Sequence, residues 1–436
     1  MPKQTHEIRD PIHGFVRLRS EERDILDSPY VQRLRWIHQL GTSMWLYPGA
    51  THRRFEHCLG VMELASRVYD VITQEEKLTD RIRAQLPQVT DPQQRLYWRQ
   101  VVRLAGLCHD VGHLPFSHAA ETELLPEGLT HEAVSERIIR AMEPEFQRTN
   151  PPVRATDVAR IAIGPGKLRG VNESFTMWEA LLAEIITGDA FGVDRMHYLL
   201  RDSHHAGVAY GRFDLLRLID TLRILEKPGS GSEAAPVLTL GIEEGGLHVA
   251  ESMALARYYM YTQVYFHPIR RIYDLHLQEF LKAWLPGGKV SVQPLEKFLK
   301  FTDDEVMVAL RAAEADPSAP GHEPARCILK RRHFRVVYSR NPEDMERTLD
   351  PSGMVYKALC SRYGYHNVRR SSYRPREDPA DFPVLLRDGT VQPVLSVSQV
   401  FRQLPLASVD FVYVVPEVRQ DAQDWVKQNK NEILGD

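Results

Sequence analysis

Fifteen residues, LAGLCHDVGHLPFSH from Leu104 to His118, constrain this chain more than any other stretch. Leu104, Leu107, Val111 and Leu114 recur at helical spacing, which predicts a helix packed into a core and stopped by Pro115. On that helix His109 and Asp110 stand about 100° apart, and His113, four residues on, shares the face of His109. His118 follows where the chain turns away. Neutral imidazole and carboxylate are both good ligands for a divalent Mn, Fe, Ni or Zn ion. A His-Asp pair also turns up about once by chance in a chain of this length. The dipeptide therefore needs partners elsewhere.

The surrounding chain sets broad limits. Its 436 residues provide length for two or three domains, and a 43% hydrophobic content suffices for a large core. A net charge of −3 gives no basic excess that would mark nucleic acid as the main partner. Four cysteines without CxxC spacing indicate neither a zinc ribbon nor a disulfide framework. The polar N-terminus has no signal-peptide core and no apolar run is long enough to span a membrane, so a cytoplasmic location is expected.

Taken in order, residues 8–18 read as a strand or hairpin punctuated by Pro11 and Gly14, and helical signals run from Ser20 to Trp36 with a break at Ser28-Pro29. Gln32 and Arg35 fall on the latter part, where such charges ordinarily mark a solvated face. An amphipathic helix from Phe55 carries His57 near its start, with Arg53 and Arg54 beside it. Residues 71–100 are polar and read as peripheral. Thr130 is a suitable N-cap for a helix opening with His131 and Glu132. In GVDRMHYLLRDSHHAG, Asp194, Tyr198, Arg201 and Asp202 form one polar stripe on a helix, suited equally to water and to a ligand. VLTLGI and GLHVA read as a β-hairpin across a Glu-Glu-Gly-Gly turn. Glu251 to Trp284 is helical, aromatic and kinked at Pro268, its aromatic stripe reading as packing. Arg270, Arg271 and Tyr273 are its residues best suited to phosphate or sugar. The basic segment RCILKRRHFRVVYSR is strand-like, and the region beyond Gly353 has an α/β pattern.

His57, His109-Asp110 and Asp194, spread over three helices, resemble the ligand set of the HD superfamily of metal-dependent phosphohydrolases. The collinear motifs DPIHG (10–14), QRLR (32–35), QLG (39–41), RFEH (54–57), HDVGHLPFSH (109–118), HE (131–132) and VDRMHYLLRD (193–202) resemble its dNTP triphosphohydrolase branch, which takes in bacterial dNTPases and the HD core of the vertebrate sterile-alpha-motif/HD-domain dNTPase. Together they cover about residues 7–345.

The resemblance implies a mainly α fold. Its HD-domain helical core would span residues 1–345, with small β-hairpins and a metal-binding region at about 50–205, and a small α/β region of unassigned role would follow at 346–436. It implies one divalent transition metal on His57, His109, Asp110 and Asp194, with Mg as an additional companion of the nucleotide. The histidines His113, His118 and His131 and the nearby Glu121 would serve catalysis, one imidazole protonating the leaving ribose oxygen. Arg54 and Arg195 match phosphate contacts, Tyr198, Asp202 and Gln39 match contacts to triphosphate and 3′-hydroxyl, and Tyr273 matches an aromatic that excludes a 2′-hydroxyl.

Asp27, Gln32 and Arg35 match residues that read a regulatory nucleotide between subunits, which implies a homo-oligomer, dimer or tetramer. Leu114, His6 and Arg9 depart from the family pattern, and no sterile-alpha-motif domain is expected ahead of the HD region. The activity implied is hydrolysis of a dNTP at the α-phosphate to deoxynucleoside and tripolyphosphate. The alternatives are another nucleotide (a monophosphate, cyclic phosphodiester or ribonucleotide) as substrate, or a non-catalytic module binding nucleotide or single-stranded nucleic acid.

Overall fold

A computed structural model describes residues 5–168, 174–227, 237–285, 290–374 and 381–435. Strands β1 (Thr5–Asp10) and β2 (Gly14–Arg19) form an antiparallel hairpin, its turn closed by Asp10 Oδ1 accepting from the N–H groups of Ile12 and His13. Short helical pieces follow at Ser20–Leu26, Pro29–Gln32 and Arg33–Trp36, broken at Ser28-Pro29, where proline takes the first helical position.

The centre of the molecule is helical. Helices α1 (Arg54–Ile72) and α2 (Pro92–Cys108) pack together, joined by α3 (His131–Ala141), the helices Ala155–Ile163 and Met177–Thr187, and α4 (Val193–Ala206). Leu104, Leu107, Val111 and Leu114 are all fully buried, as their spacing predicts. A buried ion pair ties this core to the N-terminal segment: Arg103 Nε donates to Glu22 Oε1 at 2.6 Å, and Arg103 Nη1 to Ser66 Oγ at 2.8 Å.

The stripe does not lie on one continuous helix, however. Helix α2 stops at Cys108 with His109 as its C-cap, and residues 109–114 continue as turns in which Val111 N–H bonds Cys108 O and His113 N–H bonds Asp110 O. Two contacts draw the chain off the helical path. Arg33 Nη1 donates to His113 O at 2.8 Å, and Gly112 is wedged against α3, its N–H bonding Ser135 Oγ at 2.9 Å. His113 consequently does not share a helical face with His109. Residues 71–100 are also less peripheral than their polarity suggests, because α2 begins at Pro92 and buries Trp98 and Gln100.

Strands β3 (Leu222–Lys227) and β4 (Val237–Glu243) are antiparallel partners. The expected hairpin between VLTLGI and GLHVA is therefore replaced. Residues 244–246 make a tight helical turn with Gly246 against Thr221, and Leu247 opens the helix Leu247–Met260. A π-helical turn at Tyr261–Tyr265 leads into α5 (Pro268–Trp284), and the helix Asp303–Ala315 follows. The basic segment is strand only in its second half: His322–Leu329 is helical and β5 is Arg335–Ser339.

Beyond it come the helix Pro351–Tyr363, β6 (Val368–Tyr373), β7 (Pro383–Leu385), β8 (Val391–Pro393), β9 (Val409–Val414) and the helix Arg419–Leu434. The order β5-β9-β6 makes an antiparallel sheet with one face under the two helices. Phe411 and Tyr413 on the other face pack on Ile272 of α5. Strand β7 pairs in parallel with β4, so the chain crosses the 345/346 boundary in both directions. The result is mainly α with small sheets. Among the described residues no helix is long and apolar enough to cross a membrane.

Gly112 is the tightest of these constraints on the segment that carries His109 to His118. A Cβ there would stand 2.2 Å from Ser135 N and 2.4 Å from His131 O. Gly112→Ala is expected to lower stability by about 1–3 kcal/mol, the usual range for overpacking. Denaturant unfolding monitored by circular dichroism checks this, and a wild-type midpoint would refute it.

Candidate active site

Three helix ends deliver the metal-type donors. Helix α1 presents Arg54 and His57 one turn apart, the end of α2 gives His109 and Asp110, and the first turn of α4 gives Asp194. His57 Nε2 lies 3.0 Å from Asp194 Oδ1 and 3.9 Å from Asp110 Oδ2. His109 Nε2 lies 3.6 Å from Asp194 Oδ1 and 3.5 Å from Asp110 Oδ1. His109 Nδ1 donates to Gly106 O at 2.9 Å, which orients the ring with its Nε2 toward the carboxylates. Both Nε2 atoms are buried without a hydrogen-bond partner. Two such imidazole nitrogens aimed at two carboxylates are a donor set that fits one divalent transition ion.

A layer behind the donors holds them in place. His197 Nδ1 is 3.0 Å from His57 Nδ1, and His197 Nε2 accepts from Arg201, itself paired with Asp10. The His197 ring occupies the space that a side chain at position 60 would need, so Gly60 admits it. His197 lies within the VDRMHYLLRD motif, where the resemblance assigns it no role, and what it does shows only in this contact.

The charges are interdependent. Burial alone would raise Asp110, but His109 and the paired Arg54 outweigh it and hold the carboxyl well below its usual range. Asp194 is likewise lowered against burial by the two imidazoles. Burial opposes charge on His109, yet the two aspartates push it up to about 9.

A second cluster lies alongside. The His113 and His131 rings stack at 4.0 Å, with His118 edge-on to both. Glu121 accepts from His131 Nδ1 at 2.9 Å and from His118 Nδ1 at 3.3 Å. Burial would raise Glu121, but these two histidines hold it far below the carboxylate range. His113 Nε2 reaches Asp110 Oδ1 at 3.3 Å, linking the clusters, and burial with Arg54 and His131 nearby keeps His113 neutral. Phe116 and Ser117 both have left-handed backbones, with φ of 56° and 57°. This conformation costs a non-glycine residue about 1–2 kcal/mol. Asp303 accepting from Phe116 N–H at 2.8 Å and Arg54 donating to Ser117 Oγ at 2.9 Å hold the turn.

Both clusters open into one cavity of about 440 Å³. Arg54, Asp110, Asp194, His113, His118 and His131 line one end. Gln39, with an unpartnered buried Oε1, Tyr198 and Asp202 also line it. Asp202 is held by His52 at 2.8 Å and by the Tyr265 hydroxyl at 2.7 Å. Lys167, paired with Glu132 at 2.9 Å, adds a cation that no sequence motif marks.

Of the expected substrate contacts, two stand apart from this lining. Tyr273 is fully buried against Trp45 and His333, because the face of α5 that carries it turns into the core. Arg195 faces Asp189 at 3.5 Å. Asp27, Gln32 and Arg35 form a separate surface group. Arg35 Nε donates to Gln32 Oε1 at 2.8 Å and its guanidinium lies 3.5 Å from the Phe55 ring centre, while Asp27 pairs with Arg23 at 3.3 Å.

If His109 is a ligand, protons compete with the metal. The charged ring must become neutral to bind, so apparent affinity should climb about tenfold per pH unit from pH 6 and level off near pH 9. Chelator competition measures this, and a flat profile removes His109 from the ligand set. Asp110→Ala should lose bound metal by elemental analysis while keeping the wild-type circular dichroism spectrum.

Comparison with known proteins agrees with this geometry. The HD domain family matches residues 54–163 and the HD associated region matches residues 213–352. An uncharacterized protein of Methanocaldococcus jannaschii is 34% identical over 70% of this chain and 55% of its own. Human deoxynucleoside triphosphate triphosphohydrolase SAMHD1 is 28% identical over 87% of this chain and 60% of its own. The chain thus spans a little over half the length of these two relatives. The crystal structure of a hypothetical protein from Aquifex aeolicus superimposes with a TM-score of 0.76 at 30% identity, covering 96% of this chain and 99% of that one. Motifs, fold and helix-borne His/Asp set lead to one assignment: the chain belongs to the HD-domain superfamily and, within it, is similar to the deoxynucleoside triphosphate triphosphohydrolases.

Proposed function

We propose that this HD phosphohydrolase is a dNTP triphosphohydrolase, cleaving the bond between the α-phosphorus and the ribose 5′-oxygen to give deoxynucleoside and tripolyphosphate. The observation that carries the reading is the single cavity lined by Asp110 and Asp194 of the donor set, by the Glu121-held histidines and by Gln39, Tyr198 and Asp202. A divalent ion on His57, His109, Asp110 and Asp194 would supply Lewis-acid polarisation of a phosphate oxygen.

The chain's own groups divide the remaining work. Arg54 and Lys167 offer positive charge to a polyanion. His118 lines the cavity with its Nδ1 on Glu121, which offsets part of the lowering that burial imposes on the ring, and its Nε2 would protonate the departing 5′-oxygen as water adds to phosphorus. Glu121, kept anionic, stabilises the imidazolium. His131 shares that carboxylate, and neutral His113 stacks beneath it. Asp202 and the unpartnered Oε1 of Gln39 would accept from a sugar hydroxyl.

We extend the reading to control: Asp27, Gln32 and Arg35 take a regulatory nucleotide at a contact between copies of the chain, in a dimer or tetramer. Asp27 and Arg35 are exposed, and Trp36 beside them is 57% exposed. A carboxylate acceptor and a planar guanidinium suit the edge of a base.

Two experiments test these statements. Products from metal-loaded protein and a panel of dNTPs and NTPs, resolved by chromatography, should be deoxynucleoside and tripolyphosphate. His118→Ala should lower kcat by about 10²–10⁴-fold with little change in KM. A dNDP or dNMP as first product refutes the cleavage site. For control, dNTPs assayed singly and in pairs alongside sedimentation should show stimulation and association, both weakened in Arg35→Ala. Hyperbolic kinetics throughout and an unaltered Arg35→Ala variant would return Gln32 and Arg35 to ordinary surface residues.

A further inference from the structure

The far end of the cavity is built partly by the C-terminal sheet, to which the sequence assigns no role. Alternation along β6 puts Arg369, Ser371 and Tyr373 on one face. Arg369 pairs with Glu279 of α5, and Ser371 accepts from Arg271 Nε at 2.9 Å. Tyr373, half-buried, lies with its ring centre 4.3 Å from that of Phe266. Phe266 and Tyr373 both line the cavity that also contains Asp110 and Asp194.

The two ends differ in chemistry. At the donor end, Arg54 and Lys167 face the cavity along with the histidines. Toward Tyr373 two further arginines line the cavity, Arg270 with its Nε 3.3 Å from Asp274 Oδ2 and Arg271 tied to Ser371, and Thr42 donates to Asp274 at 2.6 Å. What this end presents beyond them is aromatic, from Tyr261, Tyr265, Phe266 and Tyr373. A nucleotide whose phosphates sit at the His/Asp donor set, where a divalent ion would hold them, extends its base toward these rings.

We propose that Tyr373, backed by Phe266, is the stacking surface for the nucleobase, so that the C-terminal sheet supplies a substrate-specificity residue to the HD core. The proposal rests on the nucleotide reading of the cavity given above. Stacking on an aromatic face is tolerant of base identity but grows with ring size, so purines gain more than pyrimidines. Loss of one stacking partner typically weakens binding by about 5- to 150-fold.

The test uses the full-length, metal-loaded chain and three probes measured by calorimetry: dATP, deoxyadenosine and inorganic tripolyphosphate. Tyr373→Ala should weaken dATP and deoxyadenosine by about tenfold or more and leave tripolyphosphate within about twofold. Tyr373→Phe should restore all of these, and thermal unfolding of both variants should match the wild type. An equal change for all three probes, no change for any, or a wild type that binds tripolyphosphate but neither adenine-bearing probe would overturn the proposal. The binding arm is independent of the products formed. If dATP binds with the expected Tyr373 dependence but is cleaved at another bond, the triphosphohydrolase reading falls and the stacking assignment stands.

Discussion

Two carboxylates, Asp110 and Asp194, are brought within reach of the same two buried imidazoles, and the rest of the site answers that electrostatic problem. Neither carboxylate could remain ionised there alone, since burial raises both. Arg54 against Asp110 and a charged His109 between the pair supply the compensating charge in the chain itself. Such an arrangement favours exchange of the proton on His109 for a cation of higher charge. The helices serve this point: α1, α2 and α4 each end or begin at it, and Gly60 lets α4 close over α1.

The turn after α2 is the second dependency. A continuous helix from Leu104 to Leu114 would carry His113 along the same face as His109. Ending the helix at Cys108 instead frees the chain to double back through two left-handed residues, Phe116 and Ser117, and bring His118 beside His131 and Glu121. That conformation is held from far along the chain by Asp303, whose carboxylate also accepts from both the backbone N–H and the ring of His38. The cost of the turn and the placement of His118 are thus two aspects of one arrangement, in which backbone strain is retained where the chemistry needs it.

Much of the donor end is legible in the sequence because its residues are of distinctive type and fall within collinear motifs. His109 and Asp110 are adjacent, His57 sits one turn into a helix, and Asp194 opens another. What pattern reading misses is the end of α2, because apolar spacing of 3 and 4 is equally satisfied by a buried turn. Val111 and Leu114 are buried either way. GLHVA misleads for a related reason: a short apolar run after paired glycines has no period long enough to separate strand from helix, and the true partner of β4, Leu222–Lys227, lies before it in the chain. Tyr273 has the right neighbours in sequence, but its position on α5 faces Trp45 rather than the cavity. His52 and Lys167 lie outside the motifs, His197 inside one without an assigned role, and all three acquire meaning only from what they touch.

These two kinds of residue correspond to two kinds of task. Groups that take part in bond breaking must be held to within fractions of an ångström, and the fold places them on neighbouring helix ends joined by short turns. Groups that recognise the remainder of a ligand can come from any element that reaches the cavity, and the proposed ones line it from several: Gln39 from a loop, Asp202 from α4, Phe266 from the turn before α5, and Tyr373 from a strand in another sheet. The C-terminal sheet is fastened to α5 by Arg369–Glu279, by Ser371–Arg271 and by the Tyr413 hydroxyl donating to Pro268 O at 2.9 Å. These contacts fix its distance from the cavity to that of α5 itself. A change in this sheet can therefore alter the far wall while His57, His109, Asp110 and Asp194 keep their own supports, which separates recognition from chemistry within one continuous cavity.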